Sequence, residues 1–134
     1  MSTCKIIIKP SDLEGLELKI LHNGRSLDSK IFYELDNHQN IVCCYNLVLD
    51  FKNQIEIQCL SLKEKENIQL SELVIDGIRF GIVLFFCTTT NGAPGTQLNS
   101  PGSIIVDFDS PVWEFWCKKM NEFNYERHPL GSIN

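Results

Sequence analysis

The chain has no long apolar run. The longest, residues 82–87, has the length of one buried strand and falls far short of the roughly 18 apolar residues of a membrane span. It also has no excess of basic residues: 12 Lys and Arg stand against 17 Asp and Glu, a net charge of −5. Nonspecific nucleic-acid binding draws its affinity from cations that neutralise phosphates, so this balance argues against it. No HExxH, GxSxG or GxxxxGK[ST] occurs, which leaves zinc proteases, serine hydrolases and P-loop nucleotide enzymes without their signatures. No CxxC and no Cys/His cluster has zinc spacing. The three histidines, His22, His38 and His128, are far apart and adjoin turn signals, so each is expected to be a surface loop residue. Gly77 and Gly81 flank a strand-like stretch with no following helix and have no value as a phosphate loop. No internal repeat and no linker divides the chain.

At 134 residues and 43% hydrophobic, the chain is expected to form one domain (1–134) that buries a core without staples. The six cysteines do not read as a disulfide framework. Cys43 and Cys44 are adjacent and would point to opposite faces of a strand. Most of the others sit inside apolar runs, where a thiol acts as a small hydrophobe. Reduced thiols and an intracellular folding compartment are therefore expected. Residues 1–9 carry no apolar h-region and no small-residue cleavage site, so no secretory signal peptide is expected.

Short β-rich runs with turn chemistry between them fill most of the chain. Residues 4–9 end at Pro10, and 16–20 alternate apolar and charged. Asn23-Gly24 is a strong hairpin signal. Residues 31–35 and 41–49 read as strands, with a polar loop at 36–40 and a turn at 50–53. Residues 54–59 alternate without a break, the mark of one wet and one dry face. A charged loop at 63–67 leads to a strand at 68–75 and the turn Asp76-Gly77. Residues 78–87 read as the most apolar and central strand, with a bulge or close approach at Gly81. Residues 88–102 are polar, rich in Gly and Pro, and without period, and loops of that length are usually functional or mobile. Residues 103–108 form the last strand. The pattern predicts a mainly β fold: a single antiparallel β-sandwich with a short C-terminal helix.

The helix follows from a change of period, with a continued strand as the alternative, since Trp and Phe also favour strands. Asp109-Ser110-Pro111 offers a cap and a proline at the first helical position. Trp113, Trp116, Cys117, Met120 and Phe123 then form one stripe, with Glu114, Lys118, Lys119 and Glu122 opposite. On that phasing the tryptophans close the sandwich, while Phe115 lies off the stripe and is the better candidate for exposure. The helix must end by His128-Pro129, and residues 124–134 are set apart as a tail. Six of the thirteen aromatic residues fall between positions 108 and 125, so this end either locks the fold or marks a partner surface.

Chemistry-bearing candidates are few. Cys117, beside Lys118, is the least poor thiol nucleophile but lies on the apolar stripe. Asp76, Asp107 and Asp109 raise the question of calcium, although no EF-hand spacing is present. Flat tryptophan faces admit stacking on sugar rings. Candidate partner contacts are Phe115, Trp113, Tyr125, Thr90, Asn91 and Gln97.

The strand 53–58, its charged loop and the strand through Asp76-Gly77, together with 102–116 and its Ser-Pro-Val-Trp-Glu-Phe-Trp, resemble small jelly-roll proteins of tailed bacteriophages. That pattern is related to calcium-dependent carbohydrate-binding modules. The resemblance spans roughly residues 16–117. It implies a jelly-roll-like arrangement of the sandwich and a non-enzymatic role as a structural or accessory part of a phage particle, such as a decoration, tail or neck protein. Such a protein would be assembled in the host cytoplasm and would work through contacts with other virion proteins or with itself. The alternative it implies is a carbohydrate-binding module that takes a glycan. In this chain it would do so through Trp113 or Phe115, either without calcium or in a calcium-dependent form that uses Asp107 and Asp109. The carbohydrate modules' cluster of acidic calcium ligands is not found in this chain, so no binding residue is carried over. No cofactor, metal, nucleic acid or membrane is expected.

Overall fold

The structure is a computed structural model that describes residues 1–27, 34–35, 40–90 and 95–127; of residues 34, 35, 82, 83, 85 and 124–127 only the backbone is described. The elements run β1 (Ser2–Pro10), β2 (Glu17–His22), β3 (Arg25–Ser26), β4 (Glu34–Leu35), β5 (Ile41–Leu47) and β6 (Lys52–Ser61). They continue with β7 (Ile68–Ile75), β8 (Ile78–Arg79), a 3-10 helix (Gly81–Phe86), β9 (Thr88–Thr89), β10 (Gln97–Leu98), β11 (Gly102–Asp109) and α1 (Val112–Arg127).

Two antiparallel sheets form a sandwich. One has the order β10-β7-β1-β5-β4, with β8 paired to β7; the other has the order β3-β2-β6-β11-β9. Alternation decides which side chains lie between them. β1 sends in Cys4, Ile6 and Ile8, β6 sends in Ile55, Ile57 and Cys59, and β11 sends in Ile104, Val106 and Phe108. β7 could not keep one apolar face at strict period two. A register shift opposite Ile7/Ile8 absorbs Ser71, so that Leu70 and Leu73 both face the core. Asn23 and Gly24 (φ 51° and 81°) turn β2 into β3, and Asp76 and Gly77 (φ 50° and 79°) turn β7 into β8. These are the left-handed conformations that two-residue hairpins demand. Cys43 is buried and Cys44 exposed, as adjacent strand residues require, and none of the six cysteines is paired.

Four expectations need correction. The run at 78–87 is not a central strand. β8 stops at Arg79, Gly81 takes φ 49°, and a 3-10 helix follows, its first amide held by Glu72 Oε1 at 3.1 Å. A short apolar run buries equally well as strand or helix, and here the core of the second sheet is already filled by β6 and β11. Residues 88–102 are not one irregular loop, because β9 joins the second sheet at β11 and β10 joins the first at β7. The residues set apart as a tail begin inside α1, which runs to Arg127. Finally, α1 is rotated from its expected phase. Its seam is Val112, Phe115, Trp116 and Met120, all packed on the core, and Trp113 is 58% exposed. The ladder of β11 continues through Ser110 N–H to Phe51 O (2.9 Å), which delivers Val112 straight into the core and sets the rotation. Of the strand expected at 31–35, residues 31–33 lie outside the described residues. No described helix is long and apolar enough to cross a membrane.

Candidate functional site

Strand register builds a polar face at one end of the second sheet. Gln54 lies opposite Asp107 and Lys52 opposite Asp109, so all four side chains share the outer side. Gln54 Nε2 donates to Asp107 Oδ1 at 3.1 Å. Asn23, at the β2–β3 turn, is held by four bonds: its Nδ2 donates to Asp50 Oδ2 (2.7 Å) and to Lys52 O (3.4 Å), its Oδ1 accepts from Gln54 N–H (2.7 Å), and its own N–H donates to Gln54 O (2.9 Å). Behind this face Asn53 is 3% exposed. Asn53 Oδ1 accepts from Asp50 N–H and Asn53 Nδ2 donates to Asp50 O, both at 2.9 Å. His22 Nε2 lies 2.9 Å from the same oxygen. An amide oxygen only accepts, so His22 carries its proton on Nε2. His22, expected on a surface loop, is buried.

The helix closes the other side. Phe115 packs on Phe80 (centroids 6.2 Å apart) and on Phe108 (6.4 Å), and Phe80 meets Phe108 edge-on at 5.6 Å. Between this aromatic floor and the sheet's polar edge lies a cleft of about 410 Å³. Asn23, Lys52, Gln54, Asp107 and Asp109 line it from the sheet side, and Lys118 and Lys119 from α1. Lys119 is tethered. It pairs with Glu122 at 3.2 Å and lies 4.9 Å over the Phe86 ring. A depression of about 450 Å³ over β1 and β5, bordered by Cys44, Tyr45 and Val74, has fewer convergent polar groups.

The candidates read from sequence separate. Phe115 lines the cleft, half-buried rather than exposed. Trp113 stands on another flank of α1, stacked on Trp116 with centroids 5.3 Å apart. Thr90 braces the chain, its hydroxyl donating to Ser103 O (3.2 Å) and accepting from Ser103 N–H. Gln97 is exposed on β10 and donates to Asn99 Oδ1 at 3.1 Å. Asn91 and the side chain of Tyr125 lie outside the described residues. Asp76 does not join Asp107 and Asp109: it sits in the β7–β8 hairpin of the other sheet, where Oδ1 accepts Thr3 N–H at 2.8 Å. Among the described residues no group of three or more His, Cys, Asp or Glu could hold a metal ion. Burial pushes Cys4 and Cys87 up to about 12 and Cys43 to about 11, which removes them as thiolate nucleophiles at neutral pH.

The sequence carried one signal for this site that the reading of β6 and β2 missed. Asn53 is in phase with Ile55 and Ile57, and His22 with Leu18 and Ile20, so two polar residues occupy inward positions and needed partners.

No family model matches the chain, and no curated protein matches it. Solved structures do. One is vCBM60 in complex with galactobiose, with a TM-score of 0.50 and 10% identity over 77% of this chain and 95% of that one. Another is the selenomethionine form of vCBM60, from work on a circular permutation linking two families of calcium-dependent carbohydrate-binding modules, with a TM-score of 0.53 and 10% identity over 78% of this chain and 89% of that one. At that identity the likeness is one of fold: the chain is a mainly β, antiparallel sandwich with one C-terminal helix, and its sandwich is similar to that of these modules.

Proposed function

We propose that the protein is a non-catalytic glycan-binding module whose ligand occupies the cleft between the β2–β3 turn, β6, β11 and α1. The observation that carries the reading is the convergence of amide, carboxylate and ammonium side chains around a cleft with a phenylalanine floor. A sugar presents hydroxyls that both donate and accept, beside faces of C–H groups. A site for it needs donors and acceptors together, fixed in place, next to apolar surface. Asn23, Gln54 and Asp107 are positioned by bonds to their neighbours before any ligand arrives, which lowers the entropy lost on binding. The fold shared with a module solved with galactobiose supports the same reading. A structural part in a phage particle, the first reading from sequence, gains no support from either neighbour.

A glycan array that includes galactobiose, probed with wild type and with Gln54→Ala and Asp109→Ala, tests the proposal. Binding to a defined glycan, weakened in both variants, is the expected outcome. A protein that binds nothing on the array ends this reading.

A further inference from the structure

We infer that the cleft takes an uncharged oligosaccharide and does so without a divalent cation, with the ammonium groups of Lys52 and Lys118 donating to the sugar. The inference rests on the glycan-binding reading and departs from the calcium dependence stated for the neighbouring modules.

The donor set does not suit calcium. Calcium takes six to eight oxygen ligands, several of them carboxylate. This cleft is lined by two carboxylates, Asp107 and Asp109, and one oxygen of Asp107 already accepts the Gln54 amide at 3.1 Å. Asp50, beneath the same edge, gives its Oδ2 to Asn23 at 2.7 Å and its backbone oxygen to Asn53 at 2.9 Å. Asp76, the third acidic candidate, is on the other sheet.

The same groups suit a neutral sugar. Lys119 is spoken for by Glu122 and the Phe86 ring, whereas Lys52 and Lys118 have no ion-pair partner among the described residues. Each ammonium offers three donors and no acceptor. Asp109, with no hydrogen bond or ion pair to its carboxylate among the described residues, offers only acceptors. A hydroxyl between Lys118 and Asp109 can receive from one and donate to the other. The charges also balance. Glu122, outside the lining, neutralises Lys119, and the lining charges that remain, Lys52 and Lys118 against Asp107 and Asp109, cancel, so the cleft has no net field to select an anionic glycan.

Calorimetric titration of the whole protein with a panel of neutral oligosaccharides including galactobiose, once with EDTA and once with millimolar calcium chloride, decides the matter. Affinities should agree within about twofold between the two conditions, and Lys118→Gln should weaken binding about tenfold or more, as loss of a hydrogen bond from a charged donor implies. Calcium titrated into the protein alone should give no binding heat and leave the melting temperature unchanged. Binding abolished by EDTA and restored by calcium overturns the inference while leaving the glycan-binding reading intact. A calcium-dependent rise in melting temperature overturns it whatever the sugar. Absence of binding in both conditions brings down the reading beneath it as well.

Discussion

The indole of Trp113 lies nearly parallel to that of Trp116, with centroids 5.3 Å apart and 13° between planes, so that one ring is held by the other at the edge of the helix seam. Truncating Trp113 to Ala should therefore cost only the stack and a little area, about 0.5–1.5 kcal/mol. Phe115→Ala removes the ring that touches Phe80 and Phe108 and should cost about 2–4 kcal/mol. Urea unfolding of the two variants gives the order directly. The reverse order would restore the phasing with Trp113 inward.

Asn53 serves three partners from a buried position: His22, Asp50 N–H and Asp50 O. Asn53→Ala strands all three and should destabilise by about 2–4 kcal/mol. The chemical shift of the His22 ring, which reports its tautomer, should change in the same variant. A loss below about 0.5 kcal/mol would show that water replaces the amide at no cost.

Gly102 is where the chain passes closest to Thr90: an added Cβ would lie 2.7 Å from Thr90 Oγ1. Gly102→Ala should cost about 1–3 kcal/mol. Thr90→Ala removes the obstructing oxygen and should recover much of that loss in the double variant, measured as a coupling in a double-mutant cycle. Simple additivity would mean that the two residues do not press on each other.

Four thiols are raised by burial from an ordinary 9.0: Cys4 and Cys87 to about 12, Cys43 to about 11, and Cys59 in the same direction. Their burial as neutral thiols supports the fold in full below pH 9. Above it the unfolded chain ionises first and holds fewer protons than the folded one, so stability falls as pH rises from about 9 towards 12. Melting temperature against pH should show that decline, and it should shrink in Cys4→Ala and Cys87→Ala backgrounds. In the native protein at neutral pH, a thiol reagent should label exposed Cys44 well before Cys4, Cys43 or Cys87.

Much of the sandwich was legible residue by residue. Alternation at 54–59 marked β6, and Asn23-Gly24 and Asp76-Gly77 marked their hairpins because those pairs tolerate the left-handed backbone a two-residue turn imposes. The helix start was legible in the change of period after Asp109. Its rotation was not, since Trp113 and Phe115 are equally apolar and only the docking of Val112 chooses between them. Residues 82–86 misled because an apolar run without alternation has no period to betray its geometry. The cleft was hidden for another reason: Gln54 and Asp107 are far apart in the chain, and register alone brings them within 3.1 Å.

The stretch after Cys87 has a consequence for how the molecule comes apart. Within it, Leu98 pairs with Ile68 of one sheet and Thr89 with Ile104 of the other, and Leu70 N–H donates to Thr96 O at 2.8 Å. Sandwich layers held only by side chains can part along their interface. Here one ribbon of backbone is sewn into both layers, so neither can peel away without unpicking the seam. Amide exchange in β7 and β11 should then slow and quicken together, as one cooperative unit rather than two.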